Sequence, residues 1–216
     1  MVKSLFFELR KKDNSLDFSR LDESIKEAKP RSVSIASTIQ YLNLIPPIKK
    51  YIESRKIKVL IKRGPIYTGH ILGCNSQAFD KKADMLLLLA DGKFHAVNNA
   101  IQSDREIYIF NTKTIDKISK EEIEREKSRI IGKIKKYLSS DIVGFIISTK
   151  PGQNNKNAQS IIKKIKRKSI YIFESDNINA SEFENFNLPI YINSACPGLS
   201  LDNPKILNIS DILHYI

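Results

Sequence analysis

The chain has 216 residues, enough for one large domain or two small ones. A 41% hydrophobic share with only 8 Gly and 8 Pro excludes collagen-like and linker-like chains and allows a real core. The formal charge of +12 suits an acidic protein surface or nucleic acid, but the lysines are spread thinly rather than banded with aromatics, so nucleic acid is not the expected partner. No apolar run reaches the roughly 18 residues of a membrane span, so no membrane partner is expected. The longest run, 85–90, is strand-length. The N-terminus meets charge too soon for a signal peptide, and a cytoplasmic protein is expected.

In chain order, residues 32–38 read as a short buried strand rich in β-branched side chains. Residues 39–54 carry Leu42, Ile45, Ile48 and Ile52 at helical spacing, with Pro46 and Pro47 near the start. A strand at 57–61 leads into a loop, 64–76, that holds Gly69, Gly73 and Cys74. A strand at 84–90 turns at Asp91-Gly92, and a short helix at 96–102 precedes a strand at 106–110. Next comes a long charged helix capped by Ser119. Glu121 and Glu122 stand in its first turn and Lys133, Lys135 and Lys136 in its last. Its expected buried stripe is Ile123, Ile130, Ile131, Ile134 and Leu138. The rest reads as a strand at 142–148, a basic amphipathic helix at 158–167, strands at 170–174 and 190–193, and a helical turn at 210–215. Strands alternating with helices predict an α/β fold with mostly parallel sheets. We expect two tandem homologous α/β domains, 1–117 carrying Cys74 and 118–216 carrying Cys196.

A weak internal repeat supports the tandem reading. The segments 32–40 and 143–150 are apolar strands ending in Ser37-Thr38 and Ser148-Thr149. Two copies of one unit put these pairs at equivalent strand ends and both cysteines on one rim, where ligands of parallel sheets gather. The two cysteines cannot complete a tetrahedral zinc site alone, and His70 and His95 lie at no metal-ligand spacing from them. A disulfide is not expected in a lysine-rich cytosolic chain; two buried inert thiols are the plain alternative.

Four stretches stand out: Gly69-His70-Ile71-Leu72-Gly73-Cys74-Asn75, Asp91-Gly92-Lys93-Phe94-His95, Ser148-Thr149-Lys150-Pro151-Gly152-Gln153, and Asn193-Ser194-Ala195-Cys196-Pro197 with Asp202-Asn203 just beyond. The third offers backbone N–H groups and a cation to a carboxylate or phosphate, though without the Gly-Lys-Ser order of a P-loop. In order and spacing they resemble the motifs of the diphthamide-biosynthesis enzymes, the 2-(3-amino-3-carboxypropyl)histidine synthases. Thr38-Ile39-Gln40 resembles that family's Thr-Val-Gln, and His70 replaces the Gln of its Gly-Gln-Xaa-Leu-Gly-Cys. The resemblance covers nearly the whole chain.

The resemblance implies a [4Fe-4S] cluster at the centre of three homologous domains, each lending one cysteine, with S-adenosylmethionine bound at the remaining iron. It implies transfer of a 3-amino-3-carboxypropyl group, as a radical, to a histidine of translation elongation factor 2. Cys74 and Cys196 become cluster ligands. Lys150, Gly152 and Gln153 face the aminocarboxypropyl end of S-adenosylmethionine, by side-chain charge and by N–H groups, and Gln40 plays a similar part. His95 and His70 shape the pocket, a nitrogen of His70 or a partner's group is the alternative third ligand, and Asp202 supports the Cys196 loop. Plainer roles stand beside these: a surface-loop histidine for His70, a packing histidine for His95, and a helix N-terminus with Pro151 in its first turn for 149–153. At this length the family's first domain and its cysteine are expected to lie outside the chain. The expectation is one chain of a split enzyme, with a separate chain supplying the third cysteine, or a homo- or heterodimer. A non-catalytic accessory or electron-delivering subunit is the alternative. A basic RNA- or ribosome-associated module is an alternative of another class.

Overall fold

A computed structural model describes residues 7–11, 16–201 and 203–216. The chain divides into two compact units, Met1–Glu124 and Arg125–Ile216, the division falling inside the long charged helix.

The first unit opens with α1 (Ser19–Ala28), which the hydrophobic periodicity did not announce because its buried apolar face is only Leu21 and Ile25. Then come β1 (Ser32–Ser37), a 3-10 segment Ile39–Leu44, and α2 (Ile45–Glu53). Pro46 and Pro47 fall in the first turn of α2, where their missing N–H groups have no partner to lose. The unit continues with β2 (Lys58–Leu60), β3 (Met85–Leu89), α3 (Phe94–Ser103), β4 (Ile107–Phe110) and β5 (Ile115–Ile118). The strands order as β2-β1-β3-β4-β5, all parallel except β5, which returns antiparallel on β4. Alternation divides the apolar strands between two core clusters. Ile35, Leu87 and Leu89 pack with Ile45, Ile48 and Ile52 of α2, while Ala36, Leu86 and Leu88 pack with Ala96 and Ala100 of α3.

The long helix α4 (Lys120–Ser139) starts with a reciprocal capping box. Ser119 Oγ accepts from the Glu122 N–H at 3.3 Å, and Glu122 Oε2 accepts from the Ser119 N–H at 3.0 Å. Its buried stripe departs from expectation. Ile123, Ile130, Ile134 and Tyr137 pack inward, whereas Ile131 and Leu138 are 52% and 49% exposed. Tyr137 lies seven residues after Ile130 and takes the place expected for Leu138, keeping the i, i+4, i+7 face.

The second unit contains β6 (Ile142–Ser148), α5 (Ala158–Ile162), β7 (Ser169–Ser175), β8 (Tyr191–Asn193), β9 (Ile206–Asn208) and α6 (Ile209–Ile212). The helix expected at 158–167 is thus a single turn ending at Ile162; the Lys-rich stretch after it forms turns, and Arg167 takes a positive φ of 60°. The four strands run parallel in the order β7-β6-β8-β9. Each sheet therefore places its first strand beside its second on one side and its third and fourth on the other. Ser37 and Ser148 each end the first strand of their own sheet, as the repeat predicts. No helix of the described residues is long and apolar enough to cross a membrane.

Candidate functional site

The Cys74 loop is tied to the carboxyl end of β1. Ser37 N donates to Gly69 O at 2.7 Å, and Ile71 N donates to Ser37 O at 2.9 Å. Gly69 has φ +77°, and a Cβ there would sit 2.6 Å from Ile45 Cδ1, so glycine serves both the backbone and the packing. Asn75 N donates to Leu72 O at 3.1 Å, closing a turn whose central residues are Gly73 and Cys74. Cys74 is a free, exposed thiol.

One face of α3 holds that turn. His95, Asn99 and Gln102 stand at i, i+4 and i+7. A Cβ on Gly73 would lie 3.5 Å from His95 Cδ2, ordinary contact distance. Asn99 Nδ2 donates to Leu72 O at 3.0 Å and to its own helix at His95 O, 2.6 Å. Gln102 Nε2 donates to Cys74 O at 3.2 Å while Gln102 Oε1 accepts from Ser76 N at 3.3 Å. Sequence reading found His95 but missed Asn99 and Gln102. Their signal was a polar stripe at helical spacing inside Phe94–Ser103, which also carries Ala96, Val97, Ala100 and Ile101.

His95 also lines a cavity of about 400 Å³ together with Leu9, Arg10, Lys11, Thr38, Gln40, Tyr41 and Asp91. This cavity brings Gln40 and His95 together at the carboxyl end of the first sheet, next to the Gly73-Cys74 turn. Burial pushes the His95 imidazole below its ordinary value of 6.5, which holds it neutral. His70 is not a surface-loop residue. It pairs with Ser37 beside β1, is 3% exposed, and its Nδ1 is buried without a hydrogen-bond partner. Burial lowers its pKa as well, with the Glu8 carboxylate acting in the opposite direction.

In the second unit Cys196 is a free, half-buried thiol between β8 and the 3-10 segment Pro197–Ser200. Two buried amides hold its loop. Asn193 Oδ1 accepts from Ala195 N at 2.9 Å, and Asn193 Nδ2 donates to Cys196 O and to Asn208 Oδ1, both at 2.9 Å. Asn208 Nδ2 donates to Pro197 O at 3.2 Å and to Ser200 Oγ at 2.7 Å. Asn208, on β9, was not foreseen; nothing local to the Cys196 motif pointed to it. Asp202, expected to support this loop, lies outside the described residues.

The Thr149–Gln153 stretch is not a helix start, since α5 begins only at Ala158. Gln153 N donates to Lys150 O at 3.0 Å and Gly152 has φ +84°, which makes a turn with Pro151 and Gly152 at its centre, as type II geometry prefers. The Gln153 N–H is therefore occupied and cannot cradle a carboxylate. Lys150 and Gly152 are exposed, and Gln153 is half-buried.

Two tandem α/β units with mostly parallel sheets each carry one free cysteine in a loop whose cysteine carbonyl accepts from a side-chain amide. The family described as "Putative diphthamide synthesis protein" matches residues 5–206, and the chain belongs to that family. The 2-(3-amino-3-carboxypropyl)histidine synthase of Methanocaldococcus jannaschii is 32% identical over 180 residues, 80% of this chain and 47% of its own length. The synthase of Pyrococcus horikoshii is 26% identical over 193 residues, 85% of this chain and 56% of its own. This chain thus spans about half the length of the curated relatives it matches. The crystal structure of Dph2 from Pyrococcus horikoshii superposes with a TM-score of 0.79 at 25% identity, covering 91% of this chain and 61% of that one. A second crystal structure of that protein, with a 4Fe-4S cluster, gives the same TM-score of 0.79.

Proposed function

We propose that this chain supplies two of the thiolate ligands of an iron–sulfur 2-(3-amino-3-carboxypropyl)histidine synthase. Cys74 and Cys196 bind one [4Fe-4S] cluster, and protein beyond these 216 residues supplies the third cysteine. The observation that carries this reading is that both cysteines are free thiols in loops whose carbonyls are fixed by neighbouring amides. The donor set fits the cluster in kind, since iron–sulfur clusters are held by cysteine thiolates. Among the described residues no group of three or more His, Cys, Asp or Glu gathers into a metal site, so the set is partial within this chain.

When bound, the cluster supplies the electron for cleaving a carbon–sulfur bond of S-adenosylmethionine. The rest is done by the chain's own groups. Gln102 and the Asn193–Asn208 pair hold the two cysteine loops in place, so little ordering is left to occur on metal binding. Gln40 and His95 hydrogen-bond S-adenosylmethionine in the first unit. Lys150, Gly152 and the side chain of Gln153 contact it in the second. Neutral His95 can accept a proton at its unprotonated ring nitrogen. The acceptor of the transferred group is a histidine of translation elongation factor 2.

The test is anaerobic incubation of the iron- and sulfide-loaded protein, reduced with dithionite, alone and with a chain carrying the third cysteine, with S-adenosylmethionine and elongation factor 2. The expected result is a histidine heavier by one 3-amino-3-carboxypropyl group. Product that forms equally well with Cys74→Ala would overturn the proposal and leave an accessory role.

A further inference from the structure

The first unit's cavity is lined by half-buried Lys11 and exposed Asp91, charges of opposite sign. Lys11 is fixed by its backbone: its N–H donates to Gln40 O at 2.7 Å, and its carbonyl accepts from Asn43 Nδ2 at 3.0 Å. Its ammonium meets the Tyr41 hydroxyl at 3.5 Å and lies 5.1 Å from the Tyr41 ring centroid. Among the described residues no carboxylate pairs with Lys11 and no cation pairs with Asp91. Arg10, the other cation of the lining, is already held by Glu8 at 3.0 Å. Asp91 follows β3 at its carboxyl end, in a turn where Gly92 has φ +70°.

These charges select a class of ligand. A simple anion such as phosphate gains from Lys11 but is repelled by Asp91, and a simple cation meets the reverse. A neutral molecule leaves both charges unmatched. A group with a carboxylate and an ammonium on one carbon satisfies both ends through charge-assisted hydrogen bonds. The neutral groups Gln40 and His95 add directional donors and acceptors beside them. A volume of about 400 Å³ suits a small molecule.

We propose that this cavity is a zwitterion site that takes the α-amino-acid end of its ligand, Lys11 receiving the carboxylate and Asp91 the ammonium. The proposal rests on the S-adenosylmethionine reading above, and it moves the carboxylate from Lys150 to Lys11. A free amino acid carries the same chemistry, so the test has arms that separate the two sources.

The experiment measures equilibrium binding to the full chain, as isolated and after anaerobic loading with iron and sulfide. The probes are S-adenosyl-L-methionine, 5′-methylthioadenosine (which lacks the zwitterionic arm) and L-methionine. Lys11→Met and Asp91→Asn are each expected to weaken S-adenosylmethionine about tenfold, the scale of one partly exposed charge-assisted contact. Methylthioadenosine should bind unchanged, which also shows that the variants are folded. Loss with Lys150→Met and none with Lys11→Met overturns the assignment. So does an equal loss of both nucleosides in Lys11→Met. If the wild-type chain binds both nucleosides equally, the zwitterion site falls and the S-adenosylmethionine reading stands. If it binds neither nucleoside nor L-methionine, both fall. L-methionine bound as tightly as S-adenosylmethionine, and lost in Lys11→Met, keeps the zwitterion site and overturns S-adenosylmethionine as its ligand.

Discussion

In the first unit the cysteine comes before the third strand of its sheet, and in the second it comes after the third strand. The strand orders are otherwise alike, β2-β1-β3-β4 against β7-β6-β8-β9. A shared sheet order therefore fixes where loops emerge and leaves open which loop carries the reactive atom. The bracing differs too. The Cys74 turn is held by buried Asn99 at Leu72 O and by exposed Gln102 at Cys74 O, whereas the Cys196 loop is held by Asn193 and Asn208, 1% and 8% exposed. Water can replace the Gln102 contact and cannot easily replace those of the buried amides.

That contrast ranks the effects of breaking each loop. Asn208→Ala leaves the Asn193 amide short of an acceptor and Ser200 Oγ short of a donor, so denaturant unfolding should show a loss of about 1–3 kcal/mol. Gln102→Ala in the first unit should cost about 0.5–1.5 kcal/mol in the same assay, because water reaches the freed Cys74 carbonyl. Its sharper signature is faster alkylation of Cys74, with Cys196 unaffected. An Asn208→Ala loss no larger than that of Gln102→Ala would break the comparison.

Acid should also destabilise the first unit. Burial depresses the folded-state pKa of both His70 and His95 below 6.5. Above that value both histidines are neutral folded and unfolded, and their contribution to stability is complete. As pH falls below it the unfolded chain takes up protons first, so stability declines until the folded-state values are passed. His95→Gln should flatten this decline in a series of unfolding curves between pH 7 and 5. A decline equally steep in the variant shows that His95 is not a source of it.

The fold was legible where periodicity was strong. The all-apolar β3, the Ser119–Glu122 capping box and the Ser-Thr ends of β1 and β6 are local signals, and the structure follows them. Elements with short or mixed faces escaped: α1 with two buried apolar residues, β5 with Asp116 and Lys117 at its centre, and three-residue β9. The long helix misled by one position because Tyr137 packs inward and Leu138 does not. Of the site, the cysteines and His95 were visible as motifs. Gln102 stands 28 residues from Cys74 and Asn208 stands 15 from Asn193, so their roles exist only after folding. Lys11 gave no signal, and Asp91 stood in a singled-out stretch only as a turn residue: an unpaired charge is recognised only once its neighbours are known.

The account turns on whether two thiols far apart in sequence hold one cluster. The direct measurement is anaerobic reconstitution with iron and sulfide, with a chain supplying the third cysteine, followed by iron and sulfide analysis and Mössbauer spectra. The wild-type protein, Cys74→Ser and Cys196→Ser are compared. One four-iron cluster in the wild type, lost or converted in both single variants, is the predicted result. A cluster that survives unchanged in either variant contradicts it.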